Sequence, residues 1–349
     1  MARWRAAVPR VREAPFLGRD PPPSKDPMPA PLARRTPMDV ESIEQLVESA
    51  RRYVAQGKAK STRRAYRSSF AGFDGWCTSR GLCSCPAPPP TVAVYLAALA
   101  DAGAAVATIE KMLAAIAHEH RSRGFVWPRG EPAVRETMAG IRRTIGTSPT
   151  TKKAPVSDDE LVRLVATLGE DLAGLRDRAL LTLGWSSACR RFELVALDVA
   201  DVEHKTEGLL VHVRRSKNDQ EAKGLDKGVP FASSPALCAV RAVRAWLDAA
   251  GIKDGALFRA VDKHGHVAKT RLSDRSVARI VQRAALAAGL DPTRYGGHSL
   301  RSGFMTTAAE KGRPLEAIMR QTGHKSERVA RGYIQHATVF INNPAKGLV

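Results

Sequence analysis

Tyr295-Gly296-Gly297-His298-Ser299-Leu300-Arg301 is the stretch on which the reading of this chain turns. Glycines ahead of a helix let backbone N–H groups approach an anion. His298 and Arg301 are three residues apart, so on that helix they face one side. Gly323-His324 follows, and then Tyr333. Any one of these histidines or the tyrosine, taken alone, is structural by default. Their joint order is specific, because it supplies what a tyrosine needs to attack a phosphodiester. Arginine neutralises the phosphate, histidines move protons, and the phenol becomes the covalent link.

Upstream, Ala188-Cys189-Arg190-Arg191-Phe192-Glu193-Leu194 places an arginine and a glutamate one helical turn apart. In isolation that is a helix-stabilising ion pair. Arg214-Arg215-Ser216-Lys217-Asn218-Asp219-Gln220 follows a strand pattern. A lysine on a hairpin can swing into a cleft and donate a proton. In isolation this is a solvated basic turn, and Lys223 and Lys227 compete with Lys217 for the role.

Taken together, these boxes resemble the tyrosine recombinases, or phage integrases. The likeness spans about residues 40–345 and is strongest over 176–334. It implies a mainly α fold with a small antiparallel β-sheet in the second domain. A helical core-binding domain would precede an α+β catalytic domain, in the simpler, Cre-like layout. It further implies that Arg190, Lys217, His298, Arg301, His324 and Tyr333 form the active site, with Glu193 orienting neighbours. One departure stands out. The family often has a glycine shortly before the first arginine, where this chain has Ser187-Ala188-Cys189.

The chemistry implied is consistent with elementary physics. A free tyrosine has a pKa of about 10, so Tyr333 needs help near neutral pH. Arg190 and Arg301 would favour phenolate and hold the nonbridging oxygens bidentately, with His324 as an added donor. Lys217 would protonate the departing 5′-oxygen, and His298 would pass a proton to or from the tyrosine. The product is a 3′-phosphotyrosyl bond with a free 5′-hydroxyl, which retains the bond energy for rejoining without ATP. No cofactor and no metal are expected, because no carboxylate cluster suggests a two-metal site.

Composition points to the same partner. Lys+Arg number 55 against 35 Asp+Glu, a formal charge of +20. That balance suits double-stranded DNA. Hydrophobic residues at 44% exclude global disorder. No run of 18 apolar residues exists, so no membrane span is expected. The N-terminus lacks an apolar h-region, which argues against a secretory signal. Cys77, Cys83, Cys85, Cys189 and Cys238 are an odd, scattered set. They fit a reducing cytoplasm rather than a disulfide framework. A cytoplasmic, nucleoid-associated protein is the expectation.

Five segments are expected. Residues 1–38 form a disordered Pro/Arg-rich tail. Residues 39–146 form a helical DNA-binding domain, starting with a helix whose face is Ile43, Leu46 and Val47. Ser61 or Thr62 caps the next helix, where Tyr66, Phe70 and Phe73 read as core. Arg63, Arg64 and Arg67 on that helix, and Arg142 and Arg143 on the fifth, are candidates for phosphate contact. Residues 147–156 are a linker whose Lys152 and Lys153 ride on a DNA backbone. The catalytic domain, 157–336, opens with the Ser157/Glu160 capping box. It holds a long buried helix over 175–196, a strand at Leu209 to Val213 and a return strand at Val229-Pro230-Phe231. Helices are expected near 235–250, 273–289, 299–311 and 314–322. The segment 337–349 is too short for its own core, and the resemblance favours docking in trans.

The main reading is a site-specific DNA recombinase working as a homotetramer on a specific double-stranded site. It leaves room for an accessory directionality factor and involves no membrane. Two readings compete with it: a type IB topoisomerase-like enzyme that only relaxes DNA, and an inactive DNA-binding protein of the same fold.

Overall fold

The computed structural model describes residues 43–127, 130–148, 153–216, 224–328, 330–332, 343, 345 and 348. The tail 1–38, Lys152, Lys217, Tyr333 and most of 337–349 lie outside the described residues. Helix α1 (Ile43–Gln56) belongs to a unit distinct from the rest of the chain. Its Ile43, Leu46, Tyr53 and Val54 are exposed.

Four helices build the first core: α2 (Lys60–Thr78), α3 (Pro89–Asp101), α4 (Val106–Ser122) and α5 (Pro132–Ile145). Phe70 and Phe73 of α2 are buried against Val92, Leu96, Ile109, Ile116 and Met138. Tyr66 is only partly buried and lies against His118. Cys77 is fully buried in this core. The expected cap at Ser61 or Thr62 is incorrect. Ala59 is the N-cap, with no side-chain bond, and Arg63 N–H donates to its carbonyl. The two hydroxyl residues therefore sit within the first turn. His120 pins the proline-rich connector. Its Nε2 accepts from the Ala87 N–H at 2.8 Å, which leaves Nδ1–H to donate to Ile116 O at 2.8 Å.

The second core is organised around α7 (Leu172–Ser186). Leu180, Leu181 and Leu183 are fully buried, because other elements surround this helix. Gly184 lets Leu194 and Leu300 pack closely there: a Cβ would lie 2.9 Å from their side-chain methyls, which would have to shift. Helix α6 (Asp158–Ala166) opens with the expected capping box, Ser157 Oγ accepting from Glu160 N–H at 3.1 Å and Glu160 accepting from Ser157 N–H at 3.0 Å. Val156, just before it, is fully buried and donates to Ser299 O at 2.9 Å. Its carbonyl would meet a Cβ at Gly303 at 1.8 Å, so only glycine allows that crossing.

One continuous helix over 175–196 does not form. The chain turns after Ser186, with Ala188 at φ +49°, and resumes as α8 (Arg191–Ala196). Strands β1 (Val202–Lys205), β2 (Gly208–Val213) and β3 (Leu225–Pro230) follow as an antiparallel sheet in that order. Leu209, Val211 and Val213 are buried, as their alternation predicts. The return strand starts four residues earlier than expected. Asp226 and Lys227 hide it from an apolar pattern, and Phe231 lies beyond its end. Helix α9 (Ala239–Ala250) packs on α7. A hairpin of β4 (Arg259–Val261) and β5 (Val267–Arg271) comes next. Sequence reasoning missed β1, β4 and β5: β4 has only three residues, and β1 and β5 are short and mostly polar. Helices α10 (Asp274–Ala287), α11 (Ser299–Glu310) and α12 (Leu315–Thr322) complete the described elements. The fold is thus mostly helical with small antiparallel sheets.

Candidate active site

The site is built on the end of α7. A helix leaves its last carbonyls without intrahelical partners, and buried carbonyls require donors. Here three long side chains reach in. Gln321 of α12 donates to Ser186 O at 2.9 Å, Lys227 of β3 to Ser187 O at 2.9 Å, and Arg301 of α11 to Ala188 O at 2.7 Å. Gln321 also donates to Gly228 O at 2.9 Å, which ties the helix end to β3. Ala188 occupies the left-handed position that commonly closes a helix and favours glycine. Holding alanine there costs about 1–2 kcal/mol.

Two residues after that turn, Arg190 stands at the N-cap of α8 rather than inside a helix. Its guanidinium donates to Glu193 Oε1 at 2.6 Å, and its backbone N–H to Glu193 Oε2 at 2.8 Å. Glu193 is 2% exposed, so one buried carboxylate fixes both ends of Arg190. Arg301 is 1% exposed. With Nη1 committed to Ala188 O, its Nη2 lies 3.4 Å from His324 Nε2.

His324 follows Gly323, a left-handed helix terminus at φ +69°. Its Nδ1 is 2.7 Å from Thr322 Oγ1, which itself donates to Ile318 O at 2.8 Å. Nδ1–H therefore donates to the threonine, and Nε2 is left as an acceptor toward Arg301. Burial, then the charges of Arg301, Arg190, His298 and Lys227, pull the His324 pKa down to about 4. The imidazole is neutral at pH 7. A phosphate between the guanidiniums would counter those cations and favour a proton on Nε2. His298 is exposed at the N-cap of α11. The structure thus brings Arg190, Glu193, Arg301, His324 and His298 to one region, with Lys227 beneath.

One described tyrosine, Tyr295, lies just before α11 and is buried and hydrogen-bonded. Tyr295 is 2% exposed and donates to Glu160 Oε1 at 2.6 Å. Burial and that carboxylate push its pKa up to about 12. Lys217 and Tyr333 lie outside the described residues.

The candidate DNA contacts differ in availability. Arg64 and Arg67 are exposed on α2, Arg63 is half-buried beside them, and Arg143 is exposed on α5. Arg142 is paired with Glu110, at 3.0 and 2.8 Å. Lys153 donates to Thr293 O at 2.5 Å. Gln321 carried no sequence signal. Lys227 carried one, a charge two residues before Val229 at the same inward parity of a strand.

Comparison with known proteins gives the family and the fold. The phage integrase family profile matches residues 155–339. An integrase/recombinase XerD homolog of Selenomonas ruminantium is 38% identical over 87% of this chain and 90% of its own length. Among solved structures, the fold is shared with a XerH site-specific recombinase bound to difH substrate. That likeness has a TM-score of 0.55 at 16% identity, over 74% of this chain and 72% of the other. It is shared also with a lambda integrase dimer bound to a core site, with a TM-score of 0.53 at 18% identity over 84% and 77%. The chain belongs to the phage integrase family.

Proposed function

We propose that this protein is a site-specific DNA recombinase that breaks and rejoins strands through a 3′-phosphotyrosyl intermediate. The observation that carries the reading is the pair of guanidiniums, Arg190 and Arg301, each fixed by a buried partner beside the neutral imidazole of His324. Preorganised cations of this kind stabilise charge as it builds on a phosphorane-like transition state. In the reaction, Tyr333 Oη forms a bond to phosphorus and gives its proton toward His298. The P–O5′ bond breaks, and Lys217 protonates the departing oxygen. Attack by a 5′-hydroxyl from another strand reverses the step and exchanges strands. Glu193 acts through Arg190.

Membership of the family and the +20 charge support double-stranded DNA as the partner. Residues 39–146 would grip it through Arg63, Arg64, Arg67, Arg142 and Arg143, with Lys152 and Lys153 following its backbone in the 147–156 linker. Residues 157–336 perform the chemistry in the cytoplasm, at the nucleoid. Four subunits suit two DNA sites, and an accessory directionality factor fits the same scheme. An apolar cavity of about 490 Å³ supports assembly through the C-terminal segment. Trp185, Phe231, Leu237, Phe304, Ala308 and Ile318 line it. Segment 337–349 carries Val339, Phe340, Ile341 and Leu348, which suit such a surface.

The test is capture of a covalent protein–DNA adduct in EDTA, on nicked duplexes tiled across the DNA that flanks the gene. An adduct mapped to one site supports the reading. A strict Mg²⁺ requirement for cleavage contradicts it. Exchange between two sites on one plasmid separates a recombinase from a relaxing enzyme.

A further inference from the structure

Lys227 is the buried charge that the proposed mechanism leaves unused. It is 1% exposed, at an inward position of β3 opposite Val211, where packing alone would favour an aliphatic residue. Burying an ammonium is costly unless its donors are used. Its surroundings explain its presence. Its Nζ donates to Ser187 O, the middle member of the three consecutive carbonyls taken by Gln321, Lys227 and Arg301. Those carbonyls form the negative end of α7, which a cation stabilises. Cys189, Glu193, Arg301 and Arg190 all lie close enough to act on the Lys227 charge.

The turn being held is strained. Ala188 is the one described non-glycine residue with positive φ, and it lies fully buried between the held carbonyls. Its relaxation toward an ordinary conformation would swing the following residues, and Arg190 is two residues on. Gln321 braces the turn's start and Arg301 its end. Lys227 braces the peptide that joins Ser187 to Ala188 itself.

We propose that Lys227 is a positioning residue for DNA cleavage: by holding Ser187 O it keeps the left-handed turn at Ala188 in place and so sets where Arg190 meets the scissile phosphate. The inference rests on the reading of Arg190 as a phosphate-binding residue. It also gives the β2–β3 hairpin a direct link to that arginine. Lys217 falls in the connection between these strands, so a shift of the hairpin would disturb both.

The test uses the full chain, with single-turnover adduct formation on the nicked flanking duplexes and DNA affinity measured in parallel. Lys227→Met should form adduct about 10- to 100-fold more slowly, as small misplacements of a reacting group do, with little change in Kd. Adding Ala188→Gly, which takes the turn without strain, should recover several-fold of that loss relative to Ala188→Gly alone. Lys227→Arg, which keeps a donor, should also retain more activity than Lys227→Met. Wild-type cleavage by Lys227→Met overturns the proposal, and so does a loss that Ala188→Gly does not relieve. Should Lys227→Met not fold, the same pairing with Lys227→Gln decides in the same way. Undiminished cleavage by Arg190→Ala would instead sink the underlying reading of the site, an outcome distinct from any of these.

Discussion

Arg301 Nη1 donates to the main-chain oxygen of Ala188 at 2.7 Å. This one bond joins the arginine of α11 to the turn that launches Arg190. The two guanidiniums are therefore placed by a common piece of backbone. Neither is free to adjust alone, and a change at one should be felt at the other.

Arg301→Lys tests that relationship. A lysine ammonium lacks the planar fork that holds Ala188 O with one nitrogen while presenting another to a phosphate oxygen. Adduct formation should fall about 10²- to 10³-fold, the range for losing one preorganised donor. Thermal melting should show a lower Tm as well, because the turn loses a brace. An active, fully stable Arg301→Lys would show that one contact suffices.

Tyr333→Phe should keep DNA binding and lose covalent linkage, since only the phenol oxygen is removed. Gel-shift and denaturing-gel assays on the same duplex read the two properties separately. An adduct in the Phe variant would move the nucleophile elsewhere.

Tyr295→Phe is the matching control. Its hydroxyl serves Glu160, and its pKa is pushed up to about 12, so it is a poor nucleophile. The variant should lose about 1 kcal/mol of stability, the net worth of a typical hydrogen bond, while cleaving at a near wild-type rate. Urea unfolding and single-turnover cleavage measure the two. Loss of cleavage with unchanged stability would contradict the structural role.

His324 gives a pH signature. Its pKa is about 4 in the folded, DNA-free protein against 6.5 when unperturbed. Between those values the unfolded chain binds more protons than the native state. Stability contributed by this group is therefore full above pH 6.5 and falls as the pH drops toward 4. Urea midpoints of wild type and His324→Gln, compared across that window, should converge on acidification. A constant difference would mean the imidazole is not shielded as described.

Deleting 337–349 should leave a folded, DNA-binding protein that no longer forms a tetramer on DNA or recombines. Sedimentation of the DNA complex and a two-site plasmid assay check this. Full recombination by the deletion would show that the segment packs in cis or is idle.

The linear sequence by itself determined the family and nominated the residues of the candidate site. His298, Arg301, Gly323-His324 and Tyr333 recur in one order, and that order needs no coordinates to be recognised. Periodicity also determined helix α2, where Phe70 and Phe73 advertise a buried face, and strand β2, where Leu209, Val211 and Val213 alternate inward. Short polar strands such as β1 and β5 carry no such pattern, and so stayed hidden. The break at Ala188 was equally invisible, because alanine is a good helix former and only tertiary ties hold it in a glycine's conformation. Those ties come from Lys227, Arg301 and Gln321, up to 135 residues away in the chain. Their bonds to three adjacent carbonyls follow from packing α11, α12 and β3 around one helix end. That is why only the tertiary structure could decide where Arg190 is aimed: local sequence specifies the side chain, and distant donors fix the backbone that carries it.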